Sequence, residues 1–123
     1  MNEIKIRGTS WPLRLSLRGA INIEEAFGSI KQAMFGEDCD RIELTSRRAE
    51  VLHQMILGGQ TWEHEEEGKE FRQVPSAEEL KKWMLDGLTY KKTETVILIM
   101  VKTINDETEP DWAAEAPEDE EKN

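Results

Sequence analysis

Histidine and cysteine, the residue types most often found as metal ligands or nucleophiles, are rare in this sequence of 123 residues, with two histidines and one cysteine. His53 and His64, with the glutamates around the second histidine, are candidate metal ligands. His64 lies in the run Glu63–Glu67, but no cysteine or second histidine lies at a ligand spacing from it, which disfavours a metal site. His53 lacks the HExxH spacing of a zinc-protease helix, so a structural role is the better interpretation. A small metal-dependent enzyme is therefore the weakest of three functional hypotheses.

Nucleophiles and phosphate-binding loops have no better support. Cys39 lies between two aspartates, and like charge beside a thiol disfavours the reactive thiolate form. No serine stands in the glycine pattern of a nucleophile elbow. Gly58 and Gly59 are not followed by the Lys-Ser/Thr pair of a phosphate loop. We therefore expect no enzymatic activity and no cofactor.

Charge is distributed unevenly along the chain. The formal net charge is -10, and nine of the 26 acidic residues lie in residues 105–123. The preceding residues are close to neutral, without the clustered Lys and Arg that bind phosphates, so nucleic acid is disfavoured as a partner. The acidic end supports a second hypothesis, an acidic regulatory interaction protein that acts as a nucleic-acid mimic or an antitoxin-like module.

Three features bear on the compartment. A single cysteine forms no internal disulfide, and the N-terminus has no signal-peptide pattern. The longest apolar run, Val96–Val101, is six residues long, far short of a membrane span. We expect a chain that stays in the cytosol where it is made and has no membrane partner.

The elements that position these side chains begin with an N-terminal β-hairpin. Polarity alternates over residues 4–7 and again over Trp11–Arg18, as in half-buried strands. Gly8, Thr9 and Ser10 between them supply turn chemistry.

A first helix is predicted to follow directly. Apolar residues recur at steps of four, three and four over Ile21–Phe35 and form one helical stripe. This helix should begin between Leu17 and Asn22, with Asn22 as a possible cap, and Gly36 should end it.

A second helix is predicted from a cap at Ser46. Gly58 and Gly59 should end it, because glycine is favoured at helix C-termini. Residues 60–73 are polar and are interpreted as a long mobile loop.

Two further helices are predicted. Ser76 and Glu79 have the spacing of a capping box, the clearest helix start in the chain. Residues 95–103 resemble a strand when taken alone, but the apolar pattern extends beyond them, which favours a helix. Five residues fit one face of this helix: Tyr90, Ile97, Met100, Val101 and Ile104.

The predicted fold class is mainly α with a short N-terminal β-hairpin (α+β), a small bundle of about four helices. We expect one helical domain over residues 1–104. Residues 105–123 are dense in like charge and poor in apolar residues, which predicts a disordered acidic tail.

Aromatic and methionine side chains are the candidates for partner contact. Tryptophan is favoured at contact hot spots as well as in cores, and methionine gives an adaptable apolar surface when it faces outward. At helical spacing, however, methionines are more often core residues. We predict a partner-binding surface from six residues: Trp11, Phe27, Phe35, Met55, Trp62 and Trp112.

The run Trp11–Gly28 resembles the opening of the tail assembly chaperones of long-tailed (siphovirus-like) bacteriophages, which have relatives among gene transfer agent proteins. That family tends to begin with an aromatic-proline-leucine strand, then a small residue, a hydrophobic pair, paired glutamates and an aromatic residue before glycine. Val51–Gly59 is similar to the family's second helix, and Val74–Leu80 is similar to its capped third helix. The similarity extends over roughly residues 3–101.

This resemblance implies a chaperone without enzymatic activity. Such a protein coats the tape measure protein, a long helical rod, until tail tube subunits polymerise around it. The family also makes a longer product by ribosomal frameshifting that recruits tube protein, and Glu121–Asn123 can be encoded by an adenine run of the slippery kind. The expected partners are the tape measure protein, the tail tube protein through that longer form, and a second copy of the chain. The expected location is the host bacterial cytoplasm, with the protein absent from the mature virion.

Overall fold

The N-terminal hairpin is confirmed in the computed structural model of the protein, which describes residues 1–108. Strand β1 (Asn2–Ile6) pairs antiparallel with β2 (Thr9–Leu13). The turn is the two-residue loop Arg7-Gly8, where both residues have positive φ, 51° and 86°. Two-residue loops of this kind match the twist of the strands. The prediction of a turn at residues 8–10 was therefore correct only for Gly8, since Thr9 and Ser10 already belong to β2.

Strand β2 is shorter than predicted because Ser16 caps the next helix. The Ser16 hydroxyl accepts a hydrogen bond from a backbone N–H of the first helical turn. Helix α1 therefore spans Leu17–Phe27. This start lies within the predicted interval Leu17–Asn22, although the cap is Ser16 and not Asn22. The prediction of a strand that runs to Arg18 was wrong.

The predicted first helix is in fact two helices. Helix α1 ends at Gly28, whose φ of 93° is a backbone conformation that residues other than glycine rarely adopt. Ser29 then caps α2 (Ile30–Phe35) by accepting a hydrogen bond from a backbone N–H of its first turn. Gly36 follows α2, as predicted.

Helix α3 (Arg41–Glu67) is the longest element. Its cap is Asp40, whose carboxylate accepts a backbone hydrogen bond of 2.8 Å, so Ser46 lies inside the helix rather than at its start. The stop is Gly68 in the left-handed conformation, with φ of 68°. The predicted loop over residues 60–73 was therefore wrong for its first half, which is helical.

Two glycines inside α3 allow β2 to cross it closely. A Cβ added at Gly58 would lie 2.1 Å from the Arg14 carbonyl oxygen, and one at Gly59 would lie 2.0 Å from the Pro12 carbonyl oxygen. The Arg14 N–H donates a 3.0 Å hydrogen bond to the Met55 carbonyl oxygen at the same crossing. The predicted helix end at these glycines was wrong, because they serve a packing contact.

The capping box is confirmed. The Glu79 N–H donates to the Ser76 hydroxyl over 3.1 Å, and the Ser76 N–H donates to the Glu79 carboxylate over 2.8 Å. Helix α4 (Ala77–Lys82) continues directly into a π-helical turn at Trp83–Gly87.

The last element is also a helix, as the longer apolar pattern favoured. Helix α5 spans Tyr90–Thr108, and the Thr89 hydroxyl caps it by accepting a hydrogen bond from the Lys92 N–H. It passes the predicted domain boundary at residue 104, and the remainder of the predicted disordered tail lies outside the described residues. Along the predicted apolar face of α5, Met100 is buried, whereas Tyr90 is 73% exposed.

The core lies between the hairpin, α3 and the helices around it. All of the methionines considered at helical spacing are core residues: Met34, Met55, Met84 and Met100. Helices account for 68% of the residues that the structure describes, which confirms a mainly-α fold with an N-terminal hairpin. This part of the chain has five α-helices, where about four were predicted. Among residues 1–108, no helix is both long and apolar enough to cross a membrane.

Candidate functional site

An apolar groove separates the start of α3 from the start of α5, with the π-helical turn at its base. Its volume is about 430 Å³. We call it the α3–α5 groove, and its apolar lining consists of Ile42, Met84, Leu85, Leu88, Tyr90 and Ile97.

Three of these apolar side chains face solvent. Ile42 is 59% exposed, Leu85 is 42% exposed and Tyr90 is 73% exposed. The Asp40 cap starts α3 early enough to make Ile42 helical, and the π-helical turn buries Met84 while leaving its neighbour Leu85 outside. Contiguous exposed apolar side chains on a small protein mark an interaction surface.

Two arginines of α3 stand at the rim of this groove, each over an exposed aromatic ring. The Arg41 guanidinium carbon lies 5.7 Å from the centre of the Tyr90 ring. The Arg48 guanidinium carbon lies 5.4 Å from the Phe35 ring centre, and Arg48 Nε donates a 2.7 Å hydrogen bond to the Met34 carbonyl oxygen. Burial lowers the pKa of Arg48, yet a guanidinium stays charged at neutral pH. The groove lining therefore has two cations, Arg41 and Arg48, against one acid, Glu94, beside its apolar side chains.

Phe35 and Phe27, both predicted partner residues, lie in different places. Phe35 is 48% exposed and adjoins the α3–α5 groove through Arg48. Phe27 is half-buried against the core, 5.9 Å from the Arg47 guanidinium. Arg47 is held by Asp38 at 3.1 Å, and this contact lowers the pKa of the Asp38 carboxyl. Phe35 thus joins the candidate site, whereas Phe27 packs between helices.

Trp11 and Met55 were wrong as surface candidates, because both are core residues. Met55 is fully buried in α3. Trp11 is 6% exposed, and the Arg72 guanidinium carbon lies 4.3 Å from the centre of its ring. In this conformation neither side chain offers area to a partner.

The two remaining predicted tryptophans lie away from the groove. Trp62 is half-buried in α3 and lines a separate hollow of about 360 Å³ beside α1, with Asn22 and Leu57. Trp112 lies outside the described residues.

The two histidines have structural partners. His53 Nδ1 lies 2.8 Å from the Pro75 carbonyl oxygen. His64 Nδ1 lies 2.9 Å from the Lys69 carbonyl oxygen, and its ring meets the Phe71 ring edge-on. Within residues 1–108 no three His, Cys, Asp or Glu side chains are grouped as metal ligands would be.

Sequence reasoning did not identify Ile42, Leu85 and Tyr90. Ile42 precedes the predicted helix start, and Tyr90 was placed with the apolar residues on one face of the last helix. Leu85 follows the core residues Trp83 and Met84 in the sequence. The π-helical turn leaves its side chain exposed. Asp40 was the feature of the sequence that could have revealed Ile42, because a helix cap at Asp40 places Ile42 in the first turn of α3.

The α3–α5 groove has the chemistry of a binding surface. Its apolar lining suits the apolar stripe of a partner helix, and its arginines suit acidic residues beside that stripe. Comparison of the chain with models of protein families, with curated proteins and with solved structures found no match.

Proposed function

We propose that this protein is a tail assembly chaperone of a long-tailed bacteriophage. It binds the tape measure protein in the host cytoplasm and keeps it soluble until tail tube subunits polymerise around it. It performs no covalent chemistry, associates with itself, and is absent from the mature virion. Contact with the tail tube protein belongs to a longer, frameshifted form.

The exposed apolar lining of the α3–α5 groove is the observation that supports this proposal most. A tape measure protein is a long helical rod, and amphipathic helices bind in grooves through apolar residues on one face. Leu85 and Tyr90 provide apolar area, while Arg41 and Arg48 provide two charges for acidic client residues. The choice of the tape measure protein as client rests on the resemblance of Trp11–Gly28 to the opening of the chaperone family.

Coexpression with the tape measure protein of the same phage tests the proposal. The full chain should keep that protein in the soluble fraction. Leu85→Glu with Tyr90→Glu places two charges in the groove and should reduce soluble client at least tenfold. Leu98→Glu is the matched control, since Leu98 is 68% exposed on α5 but does not line the groove. Equal solubilisation by the groove variant and the wild type would contradict the proposal.

The acidic regulatory protein is the alternative, favoured by the nine acids of residues 105–123. It predicts that binding depends on tail charge rather than on the groove. Replacing Glu118–Glu121 by the corresponding amides should abolish partner binding in that case, because a mimic of nucleic acid relies on its charges. If the amide variant still solubilises the tape measure protein, the chaperone proposal is favoured.

A further inference from the structure

The outer edge of β1 has backbone groups without partners among the described residues. Ile6 and Thr9 close the two-residue loop, so the N–H and C=O groups of Ile6, Ile4 and Asn2 point toward β2. Those of Glu3 and Lys5 point away from it. An unpaired strand edge is a template for a further strand.

The outer edge of β2, by contrast, is covered. The Ser10 carbonyl oxygen accepts a 3.1 Å hydrogen bond from Arg72, and the Arg14 N–H donates to α3. Pro12, between them, has no N–H to satisfy. The difference leaves β1 as the single open edge of this two-stranded sheet.

A second groove runs along that open edge, between β1 and α5. Its volume is about 590 Å³, and we call it the β1–α5 groove. Its apolar lining comes from both the sheet and the helices: Ile4, Trp83, Leu88, Val96 and Ile99. A site with strand-edge amides beside apolar side chains suits an extended peptide segment.

Charge specifies the occupant. The lining of the β1–α5 groove includes three cations, Lys5, Arg7 and Lys92, against one acid, Glu3. Arg7 also lies close enough to Glu79 to lower the pKa of that carboxyl, but the two lysines remain for a ligand. The groove therefore suits an acidic segment.

The end of α5 brings such a segment to the mouth of the groove. Asn2 Nδ2 donates to Thr103 Oγ1 and to Asp106 Oδ2, each over 3.1 Å, so the last turns of α5 lie beside the start of β1. Residues 109–123 follow α5 directly and contain seven acids and one base. Four extended residues reach roughly 14 Å, about the length of β1. A tethered segment also has a high effective concentration at its site.

From these observations we propose that residues 109–123 bind in the β1–α5 groove of their own chain, as a third strand along the free edge of β1. Pro110 and Pro117 bracket six residues that all have a backbone N–H to pair with β1. Trp112 supplies the apolar side chain for the groove, and the acids face its lysines. This inference is independent of the client of the α3–α5 groove.

Amide hydrogen exchange on the full chain tests the proposal. If the tail pairs with β1, the Lys5 or Glu3 amide should exchange at least tenfold more slowly than an unpaired amide. The Ile4 amide is the internal reference, because β2 protects it whether or not the tail binds. Trp112→Ala should return the outer amides to the unprotected rate while Ile4 stays protected, which shows that the hairpin is intact.

A charge variant provides the second arm. Lys92→Glu removes a groove cation and should also expose the outer amides. Lys91→Glu, one residue away on α5 and outside the groove lining, should leave them protected. Free exchange at both Lys5 and Glu3 in the wild type would overturn the proposal. So would protection that survives Trp112→Ala, or protection that rises with protein concentration, which would indicate the tail or strand of a second copy.

Discussion

Gly59 of α3 lies against the carbonyl oxygen of Pro12 in β2, so closely that an added Cβ would be 2.0 Å from that oxygen. Strand β2 thus crosses the helix almost backbone to backbone. This contact joins the hairpin to the central helix, and the hairpin residues Ile4 and Leu13 are buried in the same core.

Gly59→Ala should destabilise the protein, although alanine ordinarily favours a helix over glycine by about 1 kcal/mol. The new methyl group cannot avoid the Pro12 carbonyl without moving the backbone, so the free energy of unfolding should fall by at least about 2 kcal/mol. Denaturant titration measures it. Gly19→Ala is the control, because a Cβ there meets only side-chain atoms at 3.4 Å. Equal stability of the two variants would contradict the close crossing.

Arg72→Ala should loosen the hairpin from α3. Arg72 stacks on Trp11 at 4.3 Å and donates hydrogen bonds to Ser10 and to Gln60, which is 1% exposed. Loss of these contacts should lower the free energy of unfolding by about 2 kcal/mol. Lys69→Ala, which removes exposed ion pairs, should cost well under about 1 kcal/mol. A cost for Arg72→Ala no larger than that of Lys69→Ala would refute the role of Arg72.

The capping box should contribute measurable stability. Ser76→Ala removes the hydroxyl that accepts the Glu79 N–H, and such changes cost about 1 kcal/mol. Thermal and denaturant unfolding both report this loss. Ser76→Asp retains a capping oxygen and should restore most of the lost stability.

Low pH should weaken the Ser76–Glu79 capping box. Hydrogen bonds from Ser76 lower the pKa of the Glu79 carboxyl from its ordinary value of 4.5. The unfolded chain then takes up the proton first as pH falls, so this share of stability is complete above pH 4.5 and is lost as pH drops through the lowered pKa. Glu79→Gln should flatten the fall of unfolding free energy over that interval. An unchanged acid dependence would count against the assignment.

Met55 and Phe35, both predicted partner residues, should differ in how much they contribute to the free energy of unfolding. Met55→Ala opens a cavity in the core and should lower the free energy of unfolding by about 2–5 kcal/mol. Phe35→Ala should cost less than about 1 kcal/mol, since Phe35 is 48% exposed. Phe35→Ala should instead weaken client binding, which coexpression measures. Comparable losses of stability would show that Phe35 belongs to the core.

Local signals predicted the elements with recognisable ends. The alternation at residues 4–7 predicted β1, the Ser76–Glu79 spacing predicted α4, and the extended apolar pattern predicted α5 as a helix. Other boundaries were missed because stronger caps lay nearby. Ser16 replaces Asn22 as the cap of α1, and Asp40 starts α3 earlier than Ser46 would have done.

The candidate groove was less predictable than the elements around it. Phe35 was named from its residue type alone, and it does adjoin the α3–α5 groove. Ile42 and Tyr90 were not predicted as partner residues. Their place in the groove depends on how α3, α5 and the π-helical turn pack together.

By itself, the amino-acid sequence determined the hairpin, the mainly helical class and the acidic end, because alternation, capping and charge act between near neighbours. Tertiary structure alone decided that Gly58 and Gly59 are crossing points rather than a helix end, since the reason is a strand more than 40 residues away in the chain. It also decided that Trp11 and Met55 are buried while Tyr90 faces solvent. Burial depends on which elements pack together, and no local pattern contains that information.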